Sequence, residues 1–249
     1  MRALVKVFDC EKNFSEFRGY IAKTQRIWYT VQKKGTRRMK YDYVLWDFNG
    51  TLLDDVDICV DCLNALLKSH GMKGKTEEEY KSIFTFPIKE YYERAGFDFE
   101  IVDYNSLARE WTDYYRSRTD LVLFDGTERA LKRISENGLR QSIISASEKS
   151  ALFEQTKILG IDGYFSEMLG LDNIHARSKE AVAREWRRKN SDARAVFIGD
   201  TTHDKDVADA IDADCILIPR GHQLRKTLEK AGATIFEDIE SVADFIISG

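Results

Sequence analysis

An α/β fold, with a parallel sheet, helices on both of its faces and one inserted helical block, is predicted by two patterns and bounded by a third. From Asp120 onward, short apolar runs ending in polar residues alternate with segments of helical period, the order that builds parallel sheets. Residues 56–118 break that alternation with helical periodicity and no convincing strand. Charge then divides the chain: residues 1–38 hold ten Lys or Arg against three acids, a net +7, while the rest hold 28 basic against 39 acidic residues, a net −11.

The 249 residues, 43% hydrophobic and 12% aromatic, suffice to bury a sizeable core. No apolar run approaches the roughly 18 residues of a membrane span, and the first residues lack the apolar centre of a secretory signal. Cys10, Cys59, Cys62 and Cys215 are too few and too scattered for a disulfide scaffold. The expectation is a soluble protein of the reducing cytoplasm with no membrane partner. Cys59 and Cys62 form a C-x-x-C, but inside a helix-like stretch and without a second pair, which argues against zinc or redox use. The basic segment interleaves strand-like runs at 4–8 and 27–31 rather than a nucleic-acid-binding motif, so nucleic acid is not the expected partner. It reads as an appendage with a solvated basic face; alternatively Met39 is the start, because the first strand of the sheet follows it directly.

Residues 41–55, YDYVLWDFNGTLLDD, open the sheet. The apolar run 43–46 predicts a buried strand ending at Asp47-Phe48-Asn49-Gly50-Thr51, and Asp47 and Asn49, two residues apart, share one face. Apolar positions Val56, Cys59, Val60, Leu63, Leu66 and Leu67 predict a helix over 56–69, with a stop at His70-Gly71. A second begins near Thr76, where Glu77, Glu78 and Glu79 favour the positive helix end. Pro87 interrupts it, helix resumes over 88–95 as far as Gly96, and another covers 104–117. Tyr91, Tyr92, Trp111, Tyr114 and Tyr115 fall at helical spacings and are expected in the core of this block.

Beyond Asp120, helices are predicted over 126–137, 148–159, 178–189, 204–211, 223–231 and 239–247. Strands are predicted over 141–144, 195–198, 215–218 and 234–236, with a short apolar segment at 164–171 leading to Asp172-Asn173. Sites in such sheets form beyond the carboxyl ends of the strands, and those ends carry Asp47, Ser145 and Asp200.

These residues suit one chemistry. An aspartate such as Asp47 can attack phosphorus and form an acyl phosphate that water later cleaves. Such a reaction joins two anions, so it calls for a divalent cation, and Asp200 and Asp204 in G-D-T-T-H-D supply hard oxygen ligands of the kind Mg2+ takes. Ser145 can hydrogen-bond a phosphoryl oxygen, and Lys179 can neutralise charge on the transferring group. Singly each has an ordinary reading: an Asx turn at Asp47, a strand exit at Ser145, a solvated lysine, a helix cap at Asp200. Their order and strand-end placement argue for the set. Dinucleotide and P-loop nucleotide binding have no support, because no glycine-rich phosphate loop follows any strand.

In this set the chain resembles the haloacid dehalogenase-like superfamily. Asp47–Thr51 match its first motif, D-x-D-G-T, at all but one constrained position; Ser145 matches the second, Lys179 the third, and Gly199, Asp200 and Asp204 the fourth. The helical block lies where the family's C1 cap is inserted, and the likeness, over about 39–249, is greatest to the phosphoglycolate phosphatase and beta-phosphoglucomutase branch. The resemblance implies a Rossmann-like core at 39–55 and 119–249 and a helical cap at 56–118. It further implies Mg2+-dependent hydrolysis of a small phosphorylated metabolite through an aspartyl-phosphate on Asp47. Metal ligands would be Asp47, Asp200, Asp204 and the backbone carbonyl of Asn49, and Thr51, Ser145 and Lys89 would meet the substrate.

Asn49 is the departure. The family's phosphatases carry an aspartate there, which protonates the leaving oxygen and then activates water. A carboxamide does neither, and such proton transfer is worth about 100- to 10,000-fold in rate. Two alternatives follow: a catalytically weakened member that binds a phosphorylated ligand, and a phosphonatase using Lys89 as a Schiff-base lysine. His203 and His222 are candidate replacement acids by sequence proximity alone.

Overall fold

A computed structural model describes residues 39–171 and 178–249. The basic segment 1–38 and the Asp172-Asn173 pair lie outside the described residues. Six parallel strands form one sheet in the order β5-β4-β1-β6-β7-β8, where β1 is Tyr43–Trp46, β4 Arg140–Glu148, β5 Glu167–Leu171, β6 Ala195–Gly199, β7 Asp214–Leu217 and β8 Thr234–Ile235. Strand β1 lies at the centre, paired with β4 through Trp46 and Ile143 and with β6 through Trp46 and Ile198. Its four residues are all buried, as both faces of a central parallel strand must be.

The period of two along β1 sorts its side chains between two cores. Val44 and Trp46 pack with Leu131 and Ile134 of α5 (Thr127–Glu136) and with Val242 and Ile246 of α10 (Ile239–Ser248). Tyr43 and Leu45 face the other way, toward Val182 and Trp186 of α7 (Lys179–Lys189) and Val207 of α8 (Thr202–Ala210).

Four helices lie between β1 and α5: α1 (Val56–Ser69), α2 (Glu77–Ile83), α3 (Ile88–Ala95) and α4 (Tyr104–Arg116). They have a hydrophobic cluster of their own, built on Leu63, Leu66, Leu67, Tyr80, Tyr91, Tyr92 and Leu107. Thr76 caps α2 in a reciprocal box with Glu79, satisfying two donors at the helix start. Where the chain leaves and re-enters the sheet layer, β2 (Leu53–Asp54) and β3 (Val122–Leu123) pair antiparallel. Among the described residues no helix is long and apolar enough to cross a membrane.

Four elements depart from the periodicity. The two-residue strands β2 and β3 are too short to show an alternation. Strand β4 runs past Ser145 to Glu148 with a register shift after Ile144. The helix expected over 223–231 shortens to α9 (Arg225–Leu228) and a 3-10 turn; Gln223 lies before it, its Oε1 accepting from the Thr202 N–H at 2.8 Å and its Nε2 donating to the Phe84 carbonyl at 3.1 Å.

Candidate active site

Asp47 leaves β1 with its N–H donating to the Ile198 carbonyl at 2.8 Å, so the central strand aims it beyond the sheet's carboxyl edge. Lys179, first residue of α7, follows the cap Ser178, whose hydroxyl accepts the Ala181 N–H. Its buried ammonium stands 2.5 Å from Asp47 Oδ1 and 2.5 Å from Asp204 Oδ1. Asp204 also caps α8: its Oδ2 accepts from the Asp200 N–H at 3.1 Å, the Thr201 N–H at 2.9 Å and the Thr201 hydroxyl at 2.7 Å. One carboxylate therefore closes the helix with one oxygen and faces the site with the other.

Asp200 is held by the Thr51 hydroxyl at 2.9 Å and by the His222 N–H at 2.6 Å. The turn between Asp47 and Thr51 needs a glycine. Gly50 has φ +71, and a Cβ there would lie 2.5 Å from Asp200 Oδ2. Ser145 is buried, with its hydroxyl accepting the Ser147 N–H at 3.0 Å. Asp47, Ser145 and Lys179 line one cavity of about 300 Å3.

Facing carboxyl and carboxylate oxygens of Asp47, Asp200 and Asp204 lie within 4.8 Å of one another, all three residues buried. Burial pushes the Asp47 carboxyl up, and Asp204 and Asp200 push it further than Lys179 can offset. Asp200 is likewise raised by burial and by Asp204, against the pull of His222. Asp204 ends low in spite of burial, because Lys179 and Thr201 outweigh it. Such a group of hard oxygen donors, under-neutralised by one lysine, fits a divalent cation.

Asn49 sits in a network that the sequence did not disclose. Its Nδ2 donates to Asp55 Oδ2 at 2.7 Å and to the Tyr115 hydroxyl at 3.0 Å, and its Oδ1 accepts from the Ser147 hydroxyl at 2.6 Å. Asp55 is fully buried, and also accepts from the Gly50 N–H at 3.0 Å and the Tyr115 hydroxyl at 2.7 Å. His222 Nε2 lies 3.4 Å from Asp55 Oδ1, and its Nδ1 is 2.9 Å from the Tyr80 hydroxyl. Burial alone would lower the His222 imidazole, but Asp55, Asp200 and Asp47 outweigh it and its pKa is pushed up to about 9. Asp55 ends low against burial, held there by His222, Asn49 and Tyr115. The Asn49 side chain is thus tied to a carboxylate through one amide hydrogen and to a phenol hydroxyl through the other.

The predicted site residues do not all converge. Asp47, Asn49, Ser145, Lys179, Asp200 and Asp204 come together. Thr51 is buried against Asp200 and does not line the cavity, so it orients a carboxylate. Lys89 is exposed on α3 with its ammonium 5.4 Å from the Phe99 ring centroid, outside the cavity wall, since it falls on the solvent side of a helix that buries Tyr91 and Tyr92. His203 stacks on Phe86 with centroids 4.4 Å apart and does not line the cavity; His222 does. Cys59 lies beside Asp55, its thiol donating at 3.6 Å.

Fold and site together define a strand-end α/β hydrolase centre. The sequence profile of the haloacid dehalogenase-like hydrolases matches residues 44–218, and the chain belongs to that family. A phosphoglycolate phosphatase from Psychrobacter arcticus is 21% identical over 224 residues, 84% of this chain and 97% of the relative. The pyrophosphatase PpaX of Listeria innocua is 22% identical over 175 residues, 66% and 77% of the two chains. A predicted phosphatase from Clostridium acetobutylicum shares the fold with a TM-score of 0.72 at 21% identity, covering 84% of this chain and 99% of that one.

Proposed function

We propose that this protein is a Mg2+-dependent phosphatase of small phosphomonoesters, working through an aspartyl-phosphate on Asp47. One observation supports the reading: Asp47, Ser145 and Lys179, distant in sequence, line one cavity, and Asp200 and Asp204 join Asp47 beside that lysine. In the reaction an Asp47 carboxylate oxygen attacks phosphorus and the ester P–O bond breaks. The leaving oxygen takes the electron pair. Water then attacks the acyl phosphate, releasing phosphate and restoring Asp47. Lys179 neutralises charge on Asp47 and the transferring group, and Ser145 hydrogen-bonds a phosphoryl oxygen. Asp47, Asp200 and Asp204 would hold the metal, which screens the anionic substrate from the anionic nucleophile.

A second reading rests on Asn49, whose amide is locked to Asp55 and Tyr115. With no carboxyl at that position, turnover is slowed and the protein retains a phosphorylated ligand. Phosphate release from p-nitrophenyl phosphate, with Mg2+, with EDTA and with Asp47→Ala, tests the first reading. Release that requires Mg2+ and Asp47 is expected; identical rates under all three conditions would overturn it.

A further inference from the structure

Accepting the phosphatase reading, on which this rests, we infer that the substrate is an aryl phosphate: a phosphate ester of a phenol-type hydroxyl on a flat, uncharged ring. The cavity shared by Asp47, Ser145 and Lys179 has an aromatic wall supplied by Phe84, Phe86, Tyr91, Tyr92, Trp111 and Tyr115. Trp111 and Tyr115 are stacked at 5.0 Å, and Phe84 stacks on His222 at 4.9 Å, so ring faces and edges dominate the surface beside the nucleophile. The cavity of about 300 Å3 is roughly twice the ~150 Å3 that takes up a benzene molecule, enough for a phosphate and one or two rings.

Charge in the same wall argues against a second anionic group on the substrate. Every cation among the described lining residues already has a carboxylate partner. Lys179 lies between Asp47 and Asp204, Arg116 pairs with Glu148 at 2.6 Å, and His222 faces Asp55 at 3.4 Å. A short acid such as glycolate would have to draw Arg116 away from Glu148 to find a counter-ion, with its carboxylate otherwise against aromatic faces.

Asn49 supplies an independent chemical argument. Its amide hydrogens are directed at Asp55 and Tyr115, and a carboxamide gives no proton to a departing oxygen. A phenol-type oxygen, with a pKa near 10 as in tyrosine, leaves as the anion far more readily than an aliphatic one near water's ~15.7. The P–O bond breaks, the electron pair departs on the aryl oxygen, and the proton is taken afterwards from solvent. Both the ring wall and the missing acid therefore select the same leaving group.

The test compares phenyl phosphate, cyclohexyl phosphate of matched size and 2-phosphoglycolate on the wild-type chain with Mg2+. The inert phenylphosphonate and phosphonoacetate are titrated alongside to separate binding from turnover. We expect kcat/KM for phenyl phosphate about 100-fold or more above cyclohexyl phosphate, with 2-phosphoglycolate lower still. Phenylphosphonate should bind about tenfold tighter than phosphonoacetate. Parity of phenyl and cyclohexyl phosphate, preference for 2-phosphoglycolate, or tighter phosphonoacetate overturns the inference and leaves the phosphatase reading standing. Release from none of the esters overturns the phosphatase reading itself, and the inference falls with it.

Discussion

Converting Asn49 to Asp puts a second carboxyl into the cavity that Asp47 lines, where it meets Asp55. The Asn49 nitrogen is 2.7 Å from Asp55 Oδ2 and both side chains are held in place, so the new oxygen inherits that separation. Two ionised carboxylates at that distance repel by about 6 kcal/mol at an effective dielectric near 20. The pair therefore keeps one proton at neutral pH, shared along the line of the present amide hydrogen bond. That proton is what a departing alkoxide needs. We expect Asn49→Asp to raise kcat/KM for an aliphatic ester such as cyclohexyl phosphate by about 100-fold, and for phenyl phosphate by less than about tenfold. The retained proton marks a pKa raised by folding, so the gain is present at low pH and lost as pH rises through it, with stability falling in the same direction. The assay is kcat/KM against pH for both esters. An Asn49→Asp protein that folds and binds Mg2+ yet gains nothing on the aliphatic ester would refute the argument that the missing acid limits turnover.

Other perturbations follow from the same geometry. Lys179→Met leaves Asp47 and Asp204 buried without their cation, which should cost about 3–5 kcal/mol in urea unfolding and abolish most phosphate release. In Gly50→Ala the methyl would meet Asp200 at 2.5 Å in a left-handed backbone, so a loss of about 1–3 kcal/mol is expected, together with weaker Mg2+ affinity by titration calorimetry. Asp47 and Asp200 have raised carboxyl pKa values in the metal-free protein, and His222 is raised to about 9. All three contribute stability that is full below their ordinary pKa values and is lost as pH rises through the folded ones. The Tm in EDTA should therefore fall from about pH 5 toward pH 9, and Mg2+ should raise it more at the alkaline end; an equal increment at both ends would contradict this.

The residues legible in the sequence were those whose placement follows from strand ends. Asp47, Ser145 and Asp200 each terminate an apolar run, and parallel pairing of β1 with β4 and β6 is enough to bring them together. Asp204 and Lys179 follow from the first turns of α8 and α7. The Asn49 network was not legible, because its members come from α4, a register shift and a loop. Tyr115 reaches Asp55 only through the docking of α4, Ser147 through the irregularity in β4, and His222 from the loop between β7 and α9, which carries no periodicity. The aromatics of α3 and α4 carried a core periodicity; Tyr91 and Tyr92 are buried in that cluster, Trp111 and Tyr115 only partly, and Tyr114 is exposed, against the expectation. Periodicity does not distinguish a ring that fills a core from one that also walls a cavity, and Tyr91 and Tyr92 do both.

The central claim is that phosphorus passes through Asp47, and Asn49 makes this directly observable. Without a carboxyl to activate water, hydrolysis of the acyl phosphate should be slow, and the intermediate should accumulate. Rapid mixing with p-nitrophenyl phosphate and Mg2+, acid quench and peptide mass spectrometry should show a burst of one p-nitrophenol per chain, with one phosphoryl group on the peptide carrying Asp47. Steady phosphate release with no burst, no phosphorylated Asp47 peptide and an unchanged rate in Asp47→Ala would contradict the account.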